Sequence, residues 1–155
     1  MAIVAAVEHF TTFLGHWLLN SPALDRAGAD PVMLDLLRWH AAEEVEHRSV
    51  AFDLAHHLDR RWVRRARSML LVGYVLATLW VRGTRFLVDA DPETTLRATW
   101  WRAARAARRG LVPSAWQVLR AWARWFRPGH HPRSEGSTRQ AVAYLAASPA
   151  ARAAG

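Results

Sequence analysis

Cysteine and lysine are both absent from this sequence of 155 residues. Without cysteine the chain has no disulfides, thiolate metal ligands, iron–sulfur clusters or cysteine nucleophiles, so only His, Asp and Glu remain as strong metal ligands. Without lysine, all 21 basic residues are Arg, which is typical of GC-rich coding sequences. The net charge of +8 is therefore a weak indication of nucleic-acid binding.

The charges are unevenly distributed along the chain. Residues 1–59 carry 3 Arg and 9 acidic residues, whereas residues 60–155 carry 18 Arg and 4 acidic residues, so the net charges are −6 and +14. The length and the hydrophobic share of 52% fit one folded domain, 1–155. No secretory signal pattern is present, so we expect a cytoplasmic protein.

Prolines, glycines and capping residues divide the chain into helices, and we find no alternating strand pattern. The sequence therefore predicts an all-α fold. The first helix is predicted from Ala2 to Leu19, and the second begins at Asp30-Pro31 and continues without interruption to about Leu58. The later helices are predicted at Asp59 to Val88, Asp91 to Gly110, Pro113 to Phe126, and from Ser137 into a fraying Ala-rich tail.

One apolar stretch, Met69 to Val81, raises the question of membrane insertion. It has only 13 residues between Arg67 and Arg82, and a helix needs about 20 apolar residues to span a bilayer. We therefore predict a buried core helix. The nine Trp residues, several beside Arg, keep association with a membrane surface open as an alternative.

The second helix carries titratable residues on an apolar stripe. At about 100° per residue, the stripe consists of Met33, Leu36, Leu37, Ala51, Leu54 and Leu58, and it also contains His40, Glu44 and His47. A buried carboxylate needs a partner, and a divalent cation is one such partner. Glu44 and His47 have the Glu-x-x-His spacing of dimetal four-helix bundles. A buried Glu–His ion pair or hydrogen-bonded core histidines are the alternative.

The first helix offers a further ligand at the same level. Glu8 lies 12 residues before Asn20, and Glu44 lies 13 residues after Pro31. At about 1.5 Å per residue, both carboxylates stand roughly 18 to 20 Å from the connecting loop of an antiparallel hairpin. Periodicity leaves both Glu8 and His9 open as the ligand. The remaining histidine pairs are predicted to face solvent or to cap helices: His56-His57 and His130-His131.

Three segments of the chain resemble a bacterial family of predicted metal-dependent hydrolases: Glu8 to Thr11, Trp39 to Asp53, and Phe126 to Pro132. The resemblance extends over nearly the whole chain and implies membership of the ferritin-like helical proteins. Our leading hypothesis is that Glu8, Glu44 and His47 bind metal. His40 would then act as a further ligand, a partner that supports a ligand, or a proton carrier.

The chain departs from the family at its N-terminal side, where the resemblance implies another helix pair with a further Glu and a further Glu-x-x-His. A full site takes a Glu from each of two helices and Glu-x-x-His from each of two others, and this chain supplies one of each. We therefore expect half of a dimetal four-helix bundle. A homodimer or a partner polypeptide would complete it, or else the chain is an inactive truncated member.

The function predicted from these observations is metal-dependent hydrolysis at a dinuclear site. The ligands do not distinguish iron, manganese and zinc. Zinc or manganese would activate water, and iron would more naturally activate oxygen. The alternative is a protein whose basic half binds membrane surfaces or other anionic ligands. Nucleic acid ranks lower, because no nucleic-acid-binding motif is present.

Overall fold

The computed structural model describes residues 1–92 and 95–154, and within them the regular elements are all helical, which confirms the all-α prediction. In chain order the helices are α1 Ala2–Leu19, α2 Ala23–Arg26, α3 Pro31–His47, α4 Val50–Leu58, α5 Trp62–Ala90, α6 Trp100–Arg108, α7 Ala115–Trp125, α8 Thr138–Ala147 and α9 Pro149–Ala154. A short 3₁₀ turn, Pro132–Ser134, lies between α7 and α8.

Helices α1 and α3 form an antiparallel hairpin with α2 in the connection. The Thr12 hydroxyl donates to the Glu44 carbonyl, and Gly15 lies against Ala41. Residue numbers in contact therefore increase along α1 and decrease along α3, as in an antiparallel pair. A Cβ atom on Gly15 would lie 2.6 Å from the Ala41 carbonyl oxygen. The two helices can pack this closely only because Gly15 has no side chain.

The main hydrophobic core lies where α1, α4, α5 and α7 meet. Its buried members are Ala5, Ala6, Phe10, Ala51, Phe52, Met69, Val72 and Trp125. The Trp125 indole is fully buried, and its Nε1–H donates to the Arg65 carbonyl over 3.1 Å. Burial of this large ring therefore leaves no unpaired donor.

A second contact region fixes the C-terminal helices on α3. Ala42 and Val45 pack against Ala141 of α8. The carboxylate of Asp35 accepts hydrogen bonds from the Tyr144 hydroxyl at 2.7 Å and from the Ala150 amide at 2.8 Å. The Ala-rich tail was predicted to fray, but Asp35 holds the start of α9 in place.

The prediction of one uninterrupted second helix is wrong. The chain turns at Arg48 and Ser49, and α4 starts at Val50. The first amides of a helix have no partners within it. Glu8 of α1 supplies one, because its Oε2 accepts from the Ala51 amide at 3.2 Å. The N-cap residue, Ser49, makes no side-chain capping hydrogen bond, so this tertiary contact stabilises the helix start instead.

The predicted fourth helix also begins in the wrong place. Residues 93 and 94 lie outside the described residues, and the described chain is not helical from Thr95 to Thr99. Leu96, Arg97 and Ala98 favour helix by intrinsic propensity, so local propensity does not explain this non-helical segment. The helix end was predicted correctly: Gly110 follows α6 with a φ of 73°, where glycine is favoured.

The prediction that Met69 to Val81 is a buried core segment is mostly wrong. The buried residues of α5 are Ala66, Ser68, Met69 and Val72. Beyond them, large apolar side chains such as Leu79 and Trp80 are exposed. By length and composition, α1 and α5 could both cross a membrane, a property that core helices share. Burial within the hydrophobic core accounts for this composition in α1, but not in most of α5.

We predict that Gly15→Ala destabilises the fold, because the added methyl group would meet the Ala41 carbonyl. Overpacking of this kind costs about 1 to 3 kcal/mol. Gly83→Ala is the matched control, since its Cβ has nothing within 4 Å and alanine favours helix. Urea unfolding should show a lower midpoint for Gly15→Ala and an unchanged or higher one for Gly83→Ala. Equal midpoints would contradict the close packing.

We predict that Asp35 controls the ionisation of Tyr144. Burial and the hydrogen bond to Asp35 raise the pKa of Tyr144 from 10.0 to about 12. Because the folded-state pKa is raised, the contact stabilises the fold fully below pH 10 and is lost as the pH rises through about 12. In a Tyr74→Phe background, ultraviolet titration should show a lower Tyr144 pKa in Asp35→Asn and no change in Asp89→Asn. An unchanged pKa in Asp35→Asn would contradict the contact.

Candidate metal centre

The structure brings three of the predicted site residues together on one face of the α1–α3 hairpin. Thr11 donates its hydroxyl hydrogen to Glu44 Oε2, and the Ala51 amide donates to Glu8 Oε2. Each carboxylate is thus fixed through one oxygen. Glu8 interacts electrostatically with both Glu44 and His47. We call the surface formed by Glu8, Glu44, His47 and His40 the outer face.

The charge of Glu44 disfavours ionisation of the Glu8 carboxyl on the outer face. Partial burial raises the pKa of Glu8 above its usual value, and the charge of Glu44 raises it further. The Ala51 amide and the His47 imidazole act in the opposite direction. Two nearby carboxylates beside an imidazole form a donor set that a divalent cation would stabilise.

His40 lies on the solvent side of Glu44. Its Nε2 is 3.5 Å from Glu44 Oε1, and its Nδ1 is 4.0 Å from Glu43 Oε2. Both His40 and His47 are exposed. His40 can therefore exchange a proton with solvent while remaining beside the Glu44 carboxylate.

The predicted burial of the apolar stripe around these residues is wrong for this chain. Of the stripe residues, only Ala51 is buried, and the exposed ones are Met33, Leu36, Leu37, Leu54 and Leu58. The buried residues of α3 are instead Leu34, Ala41, Ala42 and Val45. The small alanines allow the close approach of α1, so they turn inward and the larger stripe residues turn outward.

The structure separates the two residues that periodicity left open on the first helix. Glu8 faces Glu44, whereas His9 is buried on the other side of α1. The Nε2–H of His9 donates to the Ala121 carbonyl at 2.8 Å. His9 thereby contributes to the contact between α1 and α7. Of the two candidates on the first helix, Glu8 is the one that lies at the outer face.

His9 belongs to a second group of polar residues, which also contains His130 and Glu135. Their ligand atoms all lie within 4.8 Å of one another, so the three side chains could together hold a metal ion. We call this group the inner cluster. Glu135 is also paired with Arg124, whose Nε is 3.1 Å from Oε1. Burial, with the nearby charges, lowers the pKa of His130 to about 3.

The prediction that His130 faces solvent or caps a helix is wrong. Its side chain is buried, and its ring lies against the rings of Trp125 and Phe52. The chain turns after α7, where the His130 amide bonds to the Arg127 carbonyl. The breaker Pro128-Gly129 was the sequence signal for this turn, but it does not show that the returning chain enters the core.

The neighbouring histidines agree with the sequence prediction. His131 caps the 3₁₀ turn by accepting from the Arg133 amide, and it also bonds Asp53 at 2.9 Å. His56 and His57 are exposed. These three residues lie outside the inner cluster as the structure defines it.

A family model described as predicted metal-dependent hydrolases matches residues 1–136 of the chain. The chain belongs to this family. Comparisons with curated proteins and with solved structures found no match. The matched range, residues 1–136, contains the whole outer face and the whole inner cluster of this chain.

Proposed function

We propose that this chain is a hydrolase of the ferritin-like class whose dinuclear metal site forms where the outer faces of two copies meet. The observation that carries the proposal is the convergence of Glu8, Glu44 and His47 on a surface surrounded by exposed apolar side chains. A bound cation would neutralise the clustered carboxylates, and a second protein surface would remove the apolar side chains from water.

The donor set fits a divalent metal. The carboxylates of Glu8 and Glu44 are each held through Oε2 by a hydrogen-bond donor of the protein, which leaves Oε1 for a cation. His47 would add an imidazole nitrogen from the same helix as Glu44. Oxygen and nitrogen donors in this combination are suited to zinc, manganese or iron.

A second copy supplies what one outer face lacks. A two-fold axis would bring together Glu8, Glu44 and His47 from each chain, giving four carboxylates and two imidazoles, the donor set of a dimetal four-helix bundle. The same contact would cover exposed stripe residues such as Met33 (54% exposed), Leu36 (44%) and Leu37 (47%). In the described residues the basic helices do not cover these side chains.

The roles of the residues follow from their positions. When bound, a divalent metal lowers the pKa of a bound water, and iron would add chemistry with dioxygen. Thr11 and the Ala51 amide orient the carboxylates. His40 is exposed and close to Glu44 Oε1, so it can carry a proton between the site and solvent.

We predict metal-dependent dimerisation that requires Glu44. Light scattering with and without zinc, manganese or anaerobic iron should show a dimer only when metal is present. Glu44→Ala removes a central ligand and should stay monomeric. Glu46→Ala is the matched control, because Glu46 is an exposed acid two residues further along the same helix. A wild-type monomer under every condition, or dimerisation retained in Glu44→Ala, would contradict the proposal.

A second candidate function is binding to anionic membrane surfaces, and the exposure of α5 favours it. Large apolar side chains beyond Val72 are exposed, including Leu79, Trp80, Phe86 and Leu87. The residues from 60 onward carry the net charge of +14. Apolar side chains with aromatic and Arg neighbours suit the interface between lipid headgroups and acyl chains.

We predict that the chain floats with vesicles containing anionic phosphatidylserine, and less with neutral vesicles or at higher salt. A Trp80→Glu/Phe86→Glu variant should bind several-fold less, because each change places a charge where an apolar side chain would contact lipid. Val142→Glu, an exposed apolar position on α8, is the control. Retention by DNA instead of vesicles would overturn the lipid assignment, and retention by neither would leave α5 without this role.

A further inference from the structure

We infer that the inner cluster is a second metal site, in which His9, His130 and Glu135 bind a zinc ion that ties residues 130–135 to α1. The inference is independent of the dinuclear site proposed for the outer face. His9 is 1% exposed, and the side chains of His130 and Glu135 are 4% and 7% exposed. The site therefore lies inside the protein.

The spacing within the inner cluster is too wide for hydrogen bonds. His9 Nδ1 lies 3.8 Å from Glu135 Oε2, and His130 Nδ1 lies 3.9 Å from Glu135 Oε1. Hydrogen bonds between nitrogen and oxygen span about 2.7 to 3.2 Å. Ligand atoms on a tetrahedral zinc, with bonds of about 2.0 to 2.1 Å, stand roughly 3.3 Å apart. The observed gaps, all within 4.8 Å, exceed both values, so zinc binding would draw the three ligand atoms together.

Both histidines of the inner cluster also have a buried ring nitrogen with no hydrogen-bond partner in the described residues: His9 Nδ1 and His130 Nε2. Glu135 Oε1 is ion-paired with Arg124 Nε. Burying a ring nitrogen without a partner is costly, so native proteins rarely do it. Two of them in one cluster indicate a bound species that the polypeptide itself does not supply.

The tautomer of His9 shows what kind of species is needed. In the neutral imidazole, donation of Nε2–H to the Ala121 carbonyl leaves a lone pair on Nδ1. That lone pair faces the Glu135 carboxylate, which also only accepts. Two acceptors facing each other inside a protein need a cation or a donor between them. A ligating histidine typically donates its other N–H to a carbonyl or a carboxylate, as His9 does.

Protonation of the histidines does not fill this need. Burial lowers the pKa of His9 and of His130, which favours the neutral imidazoles that bind metal. Arg124 contacts the Glu135 carboxylate from one side, in the way that metal-binding carboxylates are held by further groups. Its positive charge weakens binding, so we expect an affinity below that of a site without a neighbouring Arg.

The test uses the full-length chain with the outer face disabled by Glu44→Ala/His47→Ala. After zinc loading and dialysis, elemental analysis should find about one zinc per chain in this background. Adding His130→Gln or Glu135→Gln should lower the content to less than about 0.2 per chain. His131→Gln is the control, because His131 is adjacent in sequence and bonds Asp53 instead.

Thermal unfolding gives a second readout. Zinc should raise the Tm of the background variant and of its His131→Gln derivative, but not the Tm of the His130→Gln derivative. Circular dichroism before zinc loading should show that each variant is helical. Zinc-free background protein, or equal zinc content with and without His130→Gln, would overturn the inference and leave an enclosed water as the occupant. Absence of metal-dependent dimerisation in the wild type would contradict only the dinuclear site proposed for the outer face. The two proposals can therefore be contradicted independently.

Discussion

The arrangement of this protein depends on the close contact between Gly15 of α1 and the Ala41 backbone of α3. A side chain at position 15 would push the helices apart, because its Cβ would lie within 2.6 Å of a carbonyl oxygen. The contact fixes both the distance and the register of the hairpin. At that register Thr11 reaches Glu44, and the larger side chains of α3 turn away from α1.

The same helix serves two chemically different environments. Adjacent residues of an α-helix point about 100° apart, so Glu8 and His9 diverge across α1. Glu8 meets acidic and imidazole side chains at a surface, and His9 meets aromatic rings in the core. The sequence pair Glu8-His9 therefore places one residue at the outer face and one in the inner cluster. The two residues are adjacent in the sequence but lie on different sides of α1 in the fold.

Sequence patterns predicted the features that depend on local geometry. The bounds of α1, the start of α3 at Pro31, and the end of α6 before Gly110 all follow from prolines, caps and a glycine. The level of Glu8 with Glu44 follows from counting residues to the connecting loop. The ligand roles of Glu8, Glu44, His47 and His40 remain predictions.

Features set by tertiary contacts could not be predicted in this way. The break before α4 depends on a carboxylate 43 positions earlier in the chain. The burial of His130 depends on Trp125 and Phe52, which come from two different helices. Periodicity showed that α3 has an apolar stripe, but not whether that stripe meets this chain or another. The two small alanines beside Glu43 decided the inward face through packing, not through hydrophobicity.

The hydrogen bond between Glu8 and the Ala51 amide makes the surface and the interior mechanically dependent on each other. Ala51 precedes Phe52, whose ring contacts both Trp125 and His130. Anything that draws the Glu8 carboxylate outward also pulls on the first turn of α4, and hence on the aromatic side chains behind it. Conversely, a rearrangement around Phe52 would shift the carboxylate that the surface presents. Glu8 thus connects the outer face to the first turn of α4 and, through it, to the aromatic part of the core.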